Sequence, residues 1–339
     1  MKCRPSARWA AALLLLPGLA LTACGSSGGS SSSGDTTIVY GLPTAAYDLT
    51  TVGIQFGVSQ GFFAKQHIKI KVELLNSSTA PIRGVLSGAI DIGQTGADTA
   101  AVAVQSGAPL VVVSEPTPKE PGVTLGVPGV TSLQDLVGKD YAISAPGGSS
   151  DTEILAELSA AGVDPSKVHM IALGAPSARI AALLAGKVQG AGATILAIPD
   201  ALNAVADHKL NVLAKDASAF PDLPLAVNTV TSTYLAKNKD LLTRFLTAEM
   251  QGYRWAVANP AKAAAVAAKF VPDTPVSVLQ TGIQSMISIN GYGTQPVTNA
   301  EVSATLSALL KSGTITEPIP VSQYADLSLV QAAAQKAGS

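Results

Sequence analysis

Ile68-Lys69-Ile70-Lys71-Val72-Glu73-Leu74 alternates apolar and charged side chains without a break. A period of two puts every second side chain on the same face, so this is a strand half buried and half in water. Before it, Thr51 to Phe63 has helical spacing and closes with Gly61 and two aromatics. Ile38 to Leu42 is a short apolar run stopped by Pro43. After it, Thr79 to Leu86 reads as helix, Ile90 to Gly93 as strand, Asp98 to Gln105 as helix and Leu110 to Val113 as strand. Strands that alternate with helices predict an α/β fold.

Ser114 to Gly129 breaks the rhythm with Pro116, Pro118, Pro121 and Pro128 and reads as a crossing between two halves. A second α/β series follows, with strands at Tyr141 to Ser144, Val168 to Leu173, Val188 to Ala193 and Leu210 to Ala214. Its helices start near Ser150, Pro176 and Ala197. Pro221 to Pro224 marks another boundary, and Leu225 to Val230 reads as a strand returning to the first half. Beyond Lys237 the chain is helical, clearest at Asp240 to Ala258, Pro260 to Phe270 and Pro275 to Ile289. Leu86-Ser87-Gly88-Ala89-Ile90-Asp91 is echoed by Leu184-Ala185-Gly186-Lys187-Val188-Gln189. Each is a helix end, a glycine turn and a buried strand, a pattern that any short αβ connection shares.

The N-terminus has the three-part layout of a secretory signal. Lys2, Arg4 and Arg8 precede the apolar run Trp9 to Leu21, and Leu21-Thr22-Ala23-Cys24 follows. The run of about 13 residues is too short for a bilayer core, which needs about 20 helical residues. Leu21 to Cys24 resembles the lipobox of bacterial lipoproteins, which implies cleavage before Cys24 and a lipid on its sulfur. Residues 1–23 are then the signal peptide. Cys24 opens a Gly/Ser tether over 24–35, whose composition cannot offset its ordering entropy.

Of 339 residues, 47 % are hydrophobic and 13 % charged, with a formal net charge of −1. The mature length is enough for two domains with their own cores. The charge excludes the basic footprint of a nucleic-acid binder. Cys3 and Cys24 are the two cysteines, so the body has none for a disulfide. His67, His169 and His208 stand apart with no second ligand at metal spacing. Gly138-Lys139 lacks the flanking residues of a phosphate loop, and there is no G-x-S-x-G elbow. No catalytic residue, metal or cofactor is expected.

Polar and glycine-rich segments at the C-terminal ends of strands are the candidate site, because open α/β sheets bind ligands there. They supply Thr44 and Tyr47, Ser78 and Thr79, Gly96 and Asp98, Gly148, Ser149 and Ser150, Ser177, and Thr194. Several also suit helix caps: Ser150 with Glu153 has the spacing of a capping box, and Asp98 could cap its own helix. As ligand contacts, the backbone amides at 78 to 79 and 148 to 150 would hold an oxygen-bearing group. Tyr47 would cover one face of the ligand. Asp98, if ionised and facing inward, would favour an amine or N–H donor over a plain anion. Phe62, Phe63, Tyr253 and Trp255 read as packing residues.

Gly61-Phe62-Phe63-Ala64-Lys65-Gln66-His67-Ile68 with Val72-Glu73-Leu74 resembles the start of the solute-binding proteins of nitrate, sulfonate, taurine and thiamine-precursor importers. Leu86 to Gly93, Leu133 to Lys139, Leu183 to Ala191 and Asn259 to Ala263 continue the resemblance in order, over roughly Ile38 to Phe270. It implies a two-lobed periplasmic-binding-protein type II architecture, with a ligand cleft between lobes joined by two crossings. Lobe I would comprise residues 36–115 and 225–339, and lobe II residues 116–224. The partners implied are a small-molecule solute, an ABC permease and its ATPase, and the membrane through the lipid. The protein would be an extracytoplasmic monomer. His67 stands where glycine is common and Gln189 where aspartate is usual. Two other readings remain open: an enzyme resembling a pyrimidine synthase that consumes its own histidine, and an extracellular sensor without a transporter. The first requires a histidine in the cleft.

Overall fold

The alternating segment pairs along its whole length with the first apolar run. Thr36–Leu42 (β1) and Ile68–Leu74 (β2) are parallel, in register from Thr36↔Ile68 to Leu42↔Leu74. The computed structural model describes residues 34–119, 122–194, 199–215 and 223–338. The expected signal peptide, Cys24 and almost all of the tether lie outside them. Ile92–Thr95 (β3) joins the other side of β1 in parallel. Beyond it lie Ala226–Thr231 (β10), antiparallel to β3, and Leu110–Thr117 (β4), antiparallel to β10. The order is β2-β1-β3-β10-β4.

The second sheet repeats this plan. Asp140–Ile143 (β6), His169–Ala172 (β7) and Gly190–Thr194 (β8) are its parallel triplet, with β6 in the middle. Gly122–Gly126 (β5) is antiparallel to β8, and Asn211–Lys215 (β9) closes the far side, giving β7-β6-β8-β5-β9. The echoed turns occupy matching places. Gly88 leads from Thr79–Ser87 (α3) to β3, and Gly186 leads from Pro176–Leu184 (α6) to β8; both have positive φ, 76° and 67°.

Two expectations fail locally. The single helix Thr51 to Phe63 is two: Gly53–Ser59 (α1) and Phe62–Lys65 (α2). Gly61 between them has φ 71°, a left-handed conformation that ends a right-handed helix and that glycine adopts without penalty. The proline-rich stretch Ser114 to Gly129 does carry the chain from the first sheet to the second, but it is not all connection, since β4 continues to Thr117 and β5 occupies Gly122–Gly126. Pro116 is tolerated because β4 lies at the outer position of its sheet, where a missing N–H breaks no ladder.

The first sheet carries the larger apolar core. Ile38, Tyr40 and Ile92 pack with Phe245 and Leu246 of the 20-residue helix Lys239–Ala258 (α9) and with Leu329 and Val330 of Ser328–Ala337 (α14). Phe56, Tyr253, Leu279 and Ile283 form an adjoining cluster. The second sheet buries one small cluster on each face: Leu125, Ile180 and Leu183 on one side, Tyr141, Ile154 and Leu158 on the other. Among the described residues no helix is long and apolar enough to cross a membrane.

Candidate functional site

The C-terminal ends of both parallel triplets face one cavity of about 90 Å³. From the first sheet come the segment after β1 (Thr44, Asp48, Thr50, Thr51), Ser77 and Ser78 after β2, and Gln94, Thr95 and Gly96 at the end of β3. From the second come Ser144 after β6, Gly174 and Pro176 after β7, and Gly192 in β8. Glu153 of Ser149–Ala160 (α5) and Arg179 of α6 complete that side. The two halves touch. Ser78 Oγ and Ser144 Oγ are 3.4 Å apart, and Gly174 lies so close to Asn76 that an added Cβ would sit 2.8 Å from its carbonyl oxygen.

Local chemistry fixes the first-sheet wall. Asp48 Oδ1 accepts four hydrogen bonds, from the N–H and hydroxyl groups of Thr50 and Thr51, at 2.6–3.0 Å. These bonds shape the turn into α1 and leave Oδ2 with none among the described residues. Burial raises the Asp48 carboxyl above its ordinary range, while the threonine hydrogen bonds oppose the shift. Thr95 Oγ1 donates to the Ser78 carbonyl, tying the ends of two strand connections together.

Charge concentrates on the second wall. Arg179 is 6 % exposed; its Nη1 donates to the Gly174 carbonyl at 2.7 Å and its Nε to the Gly192 carbonyl at 3.3 Å. One turn of α5 beyond Glu153, the buried Glu157 accepts a hydrogen bond from Thr124. Burial pushes the Glu153 carboxyl up to about 8. The nearby charges of Asp98 and Glu157 add to the rise, and Arg179 opposes it. A carboxyl held this way carries a proton at neutral pH and can donate a hydrogen bond into the cavity.

Of the residues expected from sequence, Thr44, Ser78 and Gly96 line the cavity. Gly148 lies just behind it, where an added Cβ would sit 2.5 Å from Ser144 Oγ and 2.6 Å from Ser78 Oγ. Ser150 does not form a capping box with Glu153. Gly148 is the N-cap, Ser150 Oγ accepts from the Ser144 N–H at 2.6 Å, and Glu153 turns to the cavity. Asp98, 2 % exposed, is in the first turn of Ala97–Gln105 (α4), where Oδ1 accepts from Thr99; its charge acts on Glu153 rather than from the cavity wall. Thr79 is held by Arg83, and Ser177 is exposed on α6. Tyr47 packs edge-on against Phe270 with centroids 5.4 Å apart, and its hydroxyl accepts from Gln55. Ser149 begins α5 and Thr194 ends β8, but their side chains, like Ile195, fall outside the described residues.

Asp48, Gln94 and Arg179 are not singled out by the sequence, and Glu153 enters there only as a capping-box residue. Each lies within a few residues of a segment that was, so strand-end position located the site while side-chain direction did not. His67, His169 and His208 are all exposed and none lines the cavity. Among the described residues no group of three or more His, Cys, Asp or Glu could hold a metal ion.

The NMT1/THI5-like family profile matches residues 50–263, more than half of the chain, and spans both walls of the cavity. The chain belongs to the NMT1/THI5-like family. No curated protein matches it significantly. Among solved structures, one from Bordetella bronchiseptica RB50 superposes with a TM-score of 0.76 at 15 % identity, covering 89 % of this chain and 98 % of that one. The alkanesulfonate-binding protein SsuA from Xanthomonas axonopodis pv. citri, bound to MOPS, gives 0.69 at 17 % identity, covering 86 % and 98 %. The periplasmic nitrate-binding protein NrtA from Synechocystis PCC 6803 gives 0.69 at 15 % identity, covering 89 % of each chain. At such identities the likeness establishes the fold, which is the two-lobed fold of periplasmic binding proteins.

Proposed function

We propose that this family member is the extracytoplasmic solute-binding lipoprotein of an ABC importer. It captures a small oxygenated or nitrogen-containing organic solute of the sulfonate, taurine, nitrate or pyrimidine-precursor class. Lobe I (36–115 and 225–339) and lobe II (116–224) close over the solute by a hinge, and the protein hands it unaltered to a permease and its ATPase. The observation that carries this reading is the polar cavity itself, walled by strand ends of both sheets that meet at Ser78 and Ser144. Such a site encloses a ligand only when the halves come together, which is the binding-protein mode of closure. The pyrimidine-synthase alternative needs a histidine that this cavity does not present.

Upstream of the body, residues 1–23 act as the signal peptide. Cys24 takes the lipid, and 24–35 form the leash that leaves the lobes free to reach a permease as a monomer. The function is tested by thermal shift against sulfonates, nitrate, taurine and pyrimidines. A ligand at about 100 times its dissociation constant adds roughly 2.7 kcal/mol, a clear rise in melting temperature. The reading fails if no solute in a broad panel moves the transition. Labelling with a clickable fatty acid tests the anchor, and Cys24→Ala should abolish the signal.

A further inference from the structure

We infer that the solute held in this cleft presents a positively charged nitrogen, an amine or amidine, to the carboxyl groups of Asp48 and Glu153. The inference rests on the solute-binding reading and names the class of solute within it.

Three polar groups on the cavity wall have unused bonding capacity. Gln94 is 2 % exposed, lines the cavity, and has no side-chain hydrogen bond among the described residues. Its amide therefore opens on the cavity and is placed for a partner that enters there. Asp48 spends Oδ1 on the Thr50–Thr51 turn, while no hydrogen bond among the described residues ends on Oδ2. Glu153 likewise receives no hydrogen bond among the described residues. Asp48 Oδ2 and Gln94 Oε1 accept, and Glu153 joins them once it ionises; what complements the three is a donor with several N–H groups, while the Gln94 amide nitrogen is left for an oxygen of the solute.

The balance of charge points the same way. Among the described residues Arg179 is the one cation on the wall, and its Nη1 and Nε already serve the carbonyls of Gly174 and Gly192. Against it stand Asp48 and Glu153, with Asp98 and Glu157 behind them acting on Glu153. A plain anion entering here would meet the Asp48 carboxyl, and a second like charge wherever Glu153 ionises, with the single guanidinium already engaged. A cation would offset the burial that raises both carboxyls. The hydroxyls of Ser77 and Ser78, whose side-chain contacts are long at 3.4 Å, remain for an oxygenated far end. Because Glu153 is protonated at neutral pH before the solute arrives, its ionisation by a bound cation releases that proton to buffer.

The test uses the full-length protein and a matched set: ethanolamine, methylguanidinium and taurine against ethanesulfonate and nitrate, by thermal shift and calorimetry. At least one nitrogen cation should bind, more tightly at pH 8.5 than at pH 6. At pH 7 the apparent enthalpy should depend on the ionisation enthalpy of the buffer. Glu153→Gln should weaken that compound at least tenfold at pH 8.5, and Asp48→Asn serves as an independent variant if the first does not fold. Tighter binding of ethanesulfonate than of taurine would overturn the charge assignment and leave solute binding intact. Binding of a nitrogen cation that neither substitution weakens would overturn the seat at Asp48 and Glu153. Binding of only uncharged compounds in a wider metabolite screen would also overturn it. Silence across that whole screen would instead remove the solute-binding reading beneath it.

Discussion

The two sheets of this chain are built to one plan and finished differently. Each has a parallel triplet with its earliest strand in the middle, and each accepts one antiparallel strand beside the third member: β10 in the first, β5 in the second. The duplication sets shape, because strand ends that point the same way within each triplet converge on one cavity. The finishing sets chemistry. On the first wall most polar groups are hydroxyls bonded to neighbouring backbone or to Asp48. On the second, two helices bring Glu153 and Arg179. A shared scaffold with unlike loops and helix faces is how one fold serves many ligands.

The largest expected effect contrasts the buried acids of the two halves. Glu249 on α9 is 5 % exposed and accepts Asn228 Nδ2 on both oxygens at 2.9 and 3.1 Å, with Ser114 Oγ at 3.4 Å. Burial still pushes its carboxyl up to about 7, against those bonds. A carboxyl raised on folding binds its proton more tightly in the native state than in the unfolded chain. Native stability therefore falls as pH rises from the unfolded value, near 4.5, through the folded one. For Glu249 the loss amounts to roughly 3 kcal/mol by pH 8, since each pKa unit corresponds to about 1.4 kcal/mol. Glu115 and Glu153, both pushed up to about 8, act in the same direction. Urea melts of wild type should lose stability between pH 5 and 8, and Glu249→Gln should flatten the slope between pH 5 and 7. An unchanged slope would mean that Glu249 stays ionised within the core.

These acids also show how far the sequence could be read. The strand periodicity of Ile68–Leu74, the glycine turns at Gly88 and Gly186, and the apolar runs located every strand to within two residues except β4, which runs on to Thr117, and β5, which the proline-rich stretch hid. Periodicity reports burial, and strands are where burial is periodic. The polar segments after those strands marked the cavity for the same reason, yet of the chosen residues whose side chains are described only Thr44, Ser78 and Gly96 line it. A loop's position follows from the element before it, whereas the direction of its side chains depends on partners distant in sequence. Glu153 read as a capping residue because Ser150 precedes it by three. The Ser150 hydroxyl is instead drawn to the Ser144 N–H, a contact between strand end and helix that local spacing does not encode.

A smaller effect separates contacts within one half from contacts between halves. Gly174 and Gly162 both belong to the second half and both have positive φ, 76° and 73°. An alanine at either pays the left-handed backbone cost, about 1–2 kcal/mol. Around Gly162 nothing lies within 4 Å of the added Cβ, while at Gly174 it meets the backbone oxygen of Asn76 in the other half. Gly162→Ala and Gly174→Ala should therefore lose similar stability in urea, and only Gly174→Ala should weaken whatever solute is found and enlarge the liganded protein in small-angle scattering. Equal affinities in the two variants would show that Asn76 and Gly174 separate in the liganded state.

The smallest effect concerns the outer edges of the two sheets, β2 and β7, which guard themselves differently. β2 is seven residues long and carries Lys69 and Lys71, both exposed; β7 is four residues long and leaves Ile171 37 % exposed. The ion pair of Lys71 with Glu73, 2.8 Å apart with both side chains in solvent, contributes little to stability because water screens it. What the lysines do is make the long edge a poor template for another strand, a task that β7 accomplishes by being short. Lys71→Thr should then change unfolding free energy by less than about 0.5 kcal/mol while lowering the temperature at which light scattering begins. Ile171→Lys should leave both nearly unchanged, because four residues offer too few ladder bonds to recruit a neighbour. A loss of more than about 1 kcal/mol in Lys71→Thr would assign the lysine a structural role in β2, and the contrast between edges would then be one of packing instead of protection.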